Sequence, residues 1–395
     1  MQRRITQFVG SLAFSVFTSI LVVLALFASP VRAATGPDAL GNGGAITHGV
    51  SKTHPATGAT FSADITGTHY VYVNNGSYPN SVSGYKFDKG GLTPLPGSPY
   101  ATGGVGGGSG YGGNQIAISP DHKCVFASDD GSGTFNSFKI QSSGTLKLVT
   151  HATVEGANVQ AIAVSPLGGV VFVDMFVSYS STPLDSFIIS SGCVLTEAQN
   201  ANTNSAAGSL VVSPDGKTLF ASSYIGGFIN AYNIVGPYFN LIKSNPANPT
   251  APGGLVIAGK HLYSGNAGGT SETGAYTFKT NGTITSLPGS PATDTEGSNS
   301  AQVWFDHADE QLICSEQNSN TFGLFHVVNG SYSFLAHMNS AGANPTAMAQ
   351  VYRNLIVTND DSGSISVYRL LPGSMAFITT IPLPASGSPN GIAAF

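Results

Sequence analysis

Short runs of alternating apolar and polar residues recur along most of this chain, the pattern of strands with two different faces. Tyr85, Phe138, Phe187, Tyr232, Tyr276, Phe325 and Tyr368 each sit at the centre of one such run. They follow one another at intervals of 43 to 53 residues, the period of propeller blades. One unit reads clearly. Leu210-Val211-Val212 is a short apolar strand, Ser213–Lys217 a turn, Thr218–Ser222 a second strand, and Ile225-Gly226-Gly227 turns the chain into Phe228–Ile234. The first turn returns as Ser119-Pro120-Asp121 and Ser165-Pro166-Leu167. A large apolar residue in the second strand repeats as Tyr72, Phe126, Phe172, Phe220, Tyr263, Ile313 and Ile356. Two registers thus predict an all-β, seven-bladed propeller of four-stranded antiparallel blades.

The inner strand predicts how the ring closes. It recurs at Ile116–Ile118, Ile162–Val164, Leu210–Val212, Leu255–Ile257, Val303–Phe305 and Met348–Gln350, and a seventh copy, Pro389–Phe395, ends the chain. Tyr70-Val71-Tyr72-Val73-Asn74 begins a blade with no clear inner strand before it, although Phe61–Asp64 competes for that place. The C-terminal strand therefore completes the first blade, removing two sheet edges at once.

Composition agrees. Gly numbers 50 and charged residues are 9% of the chain, which suits turns and strands rather than exposed helices. Residues 1–33 read as a cleaved signal peptide: Arg3 and Arg4, an apolar run from Phe8 to Phe27, and small residues around Ala33. The run is also long enough for an uncleaved anchor. Residues 34–66 form an irregular extension, and 67–395 the propeller. Loss of Arg3, Arg4 and Arg32 with the signal would take the net charge from −5 to −8. No basic face remains for nucleic acid. The expected location is secreted, periplasmic or cell-surface, as a monomer with no membrane span after cleavage.

Several motifs resemble the secreted lactonase-like, YVTN-type seven-bladed propellers: Ala163-Val164-Ser165-Pro166, Ser213–Lys217 with Leu219-Phe220, Tyr70–Asn74, and Gly91–Pro99 echoed at Thr283–Pro291. The resemblance spans nearly all of residues 69–395. It implies this fold and, for lactonase-type members, an acid/base and a cationic anion anchor in the channel. No residue here matches such a catalytic set, and the remaining arginines, Arg353 and Arg369, are not placed by the repeat at a channel mouth.

The residues closing the second strands are Asn75, Asp129, Met175, Ser223, Asn266, Glu316 and Asn359, with Asp130, Asp174, Asp360 and Asp361 beside them. They predict a polar, acidic rim for a small polar ligand or a cation. The plainer alternative is hairpin chemistry, since Asp129–Gly133 and Asp360–Gly363 are turn sequences. The histidines show no metal spacing, no calcium motif appears, and no G-x-S-x-G elbow exists. No metal or other cofactor is expected. Gly103–Gly113 opens no helix and reads as a loop long enough to cover the channel. Cys124, Cys193 and Cys314 are odd in number and unpaired by motif, so they read as buried apolar residues. Asn75, Asn281 and Asn329 match the N-x-S/T pattern within turns, and Trp304 reads as packing. Together these favour an exported binding or interaction module for a small polar ligand, carbohydrate or protein. A lactone hydrolase or cyclase is the enzymatic alternative, and a structural surface protein a third.

Overall fold

The computed structural model describes residues 67–395 except 108–113, 155–157, 177–182, 204–206 and 385–386. The expected signal peptide, the expected extension to residue 66 and the competing Phe61–Asp64 segment lie outside the described residues. The rest forms seven antiparallel sheets. All but the first run inner, second, third and outer strand in chain order, as in blade 6: Ser300–Asp306, Gln311–Glu316, Thr321–Val328 and Ser331–Asn339. Among the described residues no helix is long and apolar enough to cross a membrane.

Blade 1 takes its inner strand, Gly391–Ala394, from the chain's end. It pairs antiparallel with His69–Asn74, Tyr72 opposite Ala393. Tyr70 and Phe395 exchange both backbone hydrogen bonds at 3.1 Å, and the Phe395 ring packs on Tyr70, Tyr72 and His122. The expected closure is therefore present.

The core is not one cluster but seven, one at each seam of the ring. Phe126 and Phe135 of blade 2 meet Val171 and Phe187 of blade 3; Phe220 and Ile229 meet Leu262 and Tyr276 at the next seam but one. Val71 and Tyr85 of blade 1 meet Ile356 and Ile365 of blade 7 at the closing seam. A blade alone would expose both sheet faces, so each contributes to two clusters and only the full circle buries all of them. The large second-strand residue found in the sequence is one of these wedges, with Tyr72, Phe126, Phe172, Phe220 and Ile313 fully buried.

One sequence expectation fails here. Cys124 and Cys193 are not two separate buried thiols but a disulfide, with 5.6 Å between Cα atoms. It joins the second strand of blade 2 to the turn before the outer strand of blade 3. The partners are 69 residues apart, and only the closure of one blade on the next brings them together. Cys314 is a buried free cysteine, as expected.

Candidate functional site

Turns between second and third strands share one end of the ring with the connectors that carry the chain from each outer strand to the next blade. The expected rim residues lie at this end, but they are covered. Asn75, Asp129, Glu316 and Asn359 are 0% exposed, and Asp130, Asp174, Asn266 and Asp360 reach at most 6%. Connectors cross directly above three of them: a Cβ on Gly104, Gly297 or Gly342 would overlap the side chain of Asp129, Glu316 or Asn359 respectively. Glycine permits that approach.

Much of the rim does the work of its own hairpin. Thr134 donates to Asp129 at 2.8 Å, Thr321 to Glu316 at 2.7 Å, and Asn359 donates to Ser364 at 3.1 Å. Asn75 donates to Ser81 at 2.9 Å, and Asn266 to Thr270 at 2.8 Å. In blades 2 and 7 the chain of contacts continues outward across the sheet. Asn136 donates to Asp129 at 2.6 Å and its carbonyl meets Nδ1 of His151 at 2.7 Å. Asn359 donates to Ser366 at 2.8 Å, which meets Thr380 at 2.8 Å. Asp174 stands elsewhere, at the register from which Ser222 and Ser315 reach the next blade's inner strand at 2.7 and 3.2 Å. Burial there pushes its carboxyl well above the usual range.

Blade 6 breaks the pattern, and a reactive arrangement results. The third-strand position held by Asn136 in blade 2 and Ser366 in blade 7 is Gly323, whose added Cβ would lie 2.7 Å from Glu316 Oε1. With no spacer there, His337 of the outer strand reaches inward itself. Its Nδ1 lies 2.6 Å from Asp294 Oδ2 and 3.6 Å from Glu316 Oε2. Asp294 is 2% exposed and arrives from the connector leaving blade 5, with Oδ1 fixed by the Glu296 amide at 2.9 Å. Ser271 and Thr321 donate to Glu316 from either side.

The electrostatics follow from this packing. Burial, reinforced by the Asp294 charge, pushes Glu316 up to about 7 against the pull of its two hydroxyl donors and His337. Burial would lower His337, but the hydrogen bond and charge of Asp294, helped by Glu316 and Glu296, prevail and raise it. A carboxylate on Nδ1 fixes that nitrogen as the protonated one. The exchangeable site is then Nε2, on a side chain 20% exposed. One ligand atom from each of Asp294, Glu316 and His337 lies within 4.8 Å of the others, a set that can hold a metal. Yet a metal with bonds of about 2.0–2.2 Å holds its ligands roughly 3 Å apart or more, and the 2.6 Å contact is a direct hydrogen bond. As arranged, the cluster shares protons.

Asp294 and His337 were not among the residues expected from sequence. They lie 43 positions apart, with no motif linking them. The usable signal was the repeat: His151 and His337 oppose Asn136 and Gly323 at one register of two outer strands.

Charge is partitioned between the two ends. Among the described residues every lysine and arginine except Lys243 lies in, or at strand ends beside, the turns of the opposite end. Lys123, Lys217, Lys260 and Arg353 sit between inner and second strands, and Lys89 and Lys279 between third and outer strands. Arg353 is taken up there by Asp306 and Asp309. Among the described residues, the turns and connectors at the end with His337 hold carboxyl groups but no lysine or arginine.

These features define a seven-bladed β-propeller. The periplasmic gluconolactonase of Pseudomonas aeruginosa superposes with a TM-score of 0.69 at 15% identity, over 83% of this chain and 99% of that one. A 6-phosphogluconolactonase candidate from Bacteroides fragilis gives 0.70 at 16% identity, over 84% and 99%. Another from Bacteroides uniformis gives 0.69 at 17%, over 83% and 99%. No protein-family model matches the sequence, and no curated protein matches it.

Proposed function

We propose that this chain is an exported lactonase-type hydrolase acting on uncharged lactones, with His337 as general base. The observation that carries the reading is the His337–Asp294 pair: an imidazole fixed at Nδ1 by a buried carboxylate, on a side chain that is itself 20% exposed. Such a base takes a proton from water as the oxygen bonds to the lactone carbonyl carbon. The tetrahedral alkoxide then collapses, the ring C–O bond breaks, and the imidazolium returns the proton to the departing alkoxide. Glu316, with Oε2 3.6 Å from the same Nδ1, supports the imidazolium formed between these steps. Fold similarity to a periplasmic gluconolactonase raises the weight of this chemistry without assigning it. Carboxyl groups without cations around the site favour a substrate bearing no phosphate or carboxylate. Export agrees with the Cys124–Cys193 disulfide, which persists in oxidising compartments.

The test is a panel of lactones, glucono-δ-lactone and its 6-phosphate among them, followed by acid release. Uncharged members should be hydrolysed, and His337→Gln should lower kcat by roughly 100-fold or more. No turnover of any lactone would remove the hydrolase reading.

A further inference from the structure

Polar atoms without partners collect at the channel mouth between blades 7 and 1, away from His337. Asp360, 6% exposed, follows the second strand of blade 7. Its Oδ2 accepts from the Asn344 amide at 3.4 Å, while its Oδ1 has no hydrogen bond. Asn344 Oδ1 is also buried and unpartnered. Asn390, 7% exposed where the last connector enters blade 1, leaves both Oδ1 and Nδ2 unpartnered. The three are neighbours. The Asp360 amide donates to the Asn344 carbonyl at 2.8 Å, Ser388 lies beside the Asp360 carboxyl, and Ser388 and Asn390 both lie against Gly76.

A buried polar atom left unbonded is costly, so several at one place mark a surface shaped for something else. Free oxygens of one carboxylate and two amides, beside one free N–H donor, match a group that both donates and accepts. Hydroxyl groups do this. A phosphate or carboxylate would meet Asp360 and Asp361 with no cation to offset them. A hard cation would use the oxygens but face the amide nitrogen. The connector carrying Asn344 also walls an open cleft of about 510 Å³ lined by Ser340, Ser362, Ser364 and Thr380, with no charged side chain.

We propose that the channel mouth at Asn344, Asp360 and Asn390 binds a neutral polyhydroxylated ligand, a sugar or polyol. Binding is independent of the hydrolase reading and is read without turnover. Asn344 has φ +55°, so Asn344→Gly removes the amide while suiting the backbone. The experiment is calorimetric titration of the full chain with sorbitol, sorbitol 6-phosphate and calcium, on wild type and Asn344→Gly, with melting temperature as the folding control. Sorbitol should bind wild type, lose about tenfold in affinity in the variant for the lost hydrogen bond, and bind more tightly than its phosphate. Asp360→Asn, which keeps a carbonyl oxygen at the same place, should retain most of the affinity. Equal sorbitol binding by wild type and Asn344→Gly would overturn the proposal. So would no sorbitol binding by folded wild type, tighter binding of the phosphate, or calcium binding that vanishes in the variant without any for sorbitol.

Discussion

At the residue scale, identical positions of the repeat serve different ends according to one neighbour. Asp129 and Glu316 close equivalent strands, yet Asn136 separates Asp129 from His151, whereas Gly323 leaves His337 free to reach the carboxylates. Asp130, beside this rim, shows the cost of such burial. Desolvation pushes its carboxyl up to about 6 despite hydrogen bonds from backbone amides. Because its folded pKa lies above the unfolded value, its contribution to stability is full below about pH 4 and falls as pH rises through 6. Asp130→Asn keeps the acceptor for the Gly107 amide and removes the charge. The variant should be more stable than wild type by on the order of 1–3 kcal/mol above pH 6, with the advantage gone below pH 4 in denaturant titrations.

At the element scale, the connectors matter as much as the strands. The stretch carrying Asp294 and Gly297 both supplies the partner of His337 and seals Glu316. Gly297→Ala should cost about 1–3 kcal/mol through overpacking and lower kcat together with it, because the connector must lift. Unchanged stability and rate would show that this connector does not position the site. The C-terminal strand has a larger role. Deleting residues 388–395 strips blade 1 of its inner strand and opens the seam where Val71 and Ile356 pack. Cooperative unfolding of the truncated chain should fall by tens of degrees or be lost, and a melting curve like that of the full chain would contradict the closure.

Strands and closure were legible because the apolar wedge leaves its mark seven times and the Ser-Pro turn repeats three times in the same register. The rim residues were also legible as a set, through their common place after Tyr72, Phe126 and their counterparts. Their burial was not, since it depends on where Gly104, Gly297 and Gly342 cross from another blade. The His337–Asp294 pair was hidden for the same reason: its members belong to different blades and no local spacing joins them.

At the scale of the whole molecule, a circle of seams makes stability collective. The disulfide across blades 2 and 3 restrains a loop of 69 residues, worth about 4 kcal/mol in the chain-entropy account. Replacing Cys124 and Cys193 together with Ala should lower the melting temperature by several degrees, and an unchanged value would deny the bridge a structural role. The two ends of the ring also differ among the described residues: lysines and arginines gather at one, and none lies in the turns or connectors of the other, so the end where an anionic hydrolysis product would form offers it no cation.

The reactive pair can be interrogated by the pH dependence of kcat/KM for glucono-δ-lactone. Asp294 raises the imidazole and the base must be neutral, so the rate should climb with pH through a midpoint above 6.5. Asp294→Asn should move that midpoint down. A profile without this limb, or one unmoved by Asp294→Asn, would contradict the assignment of His337 as the base.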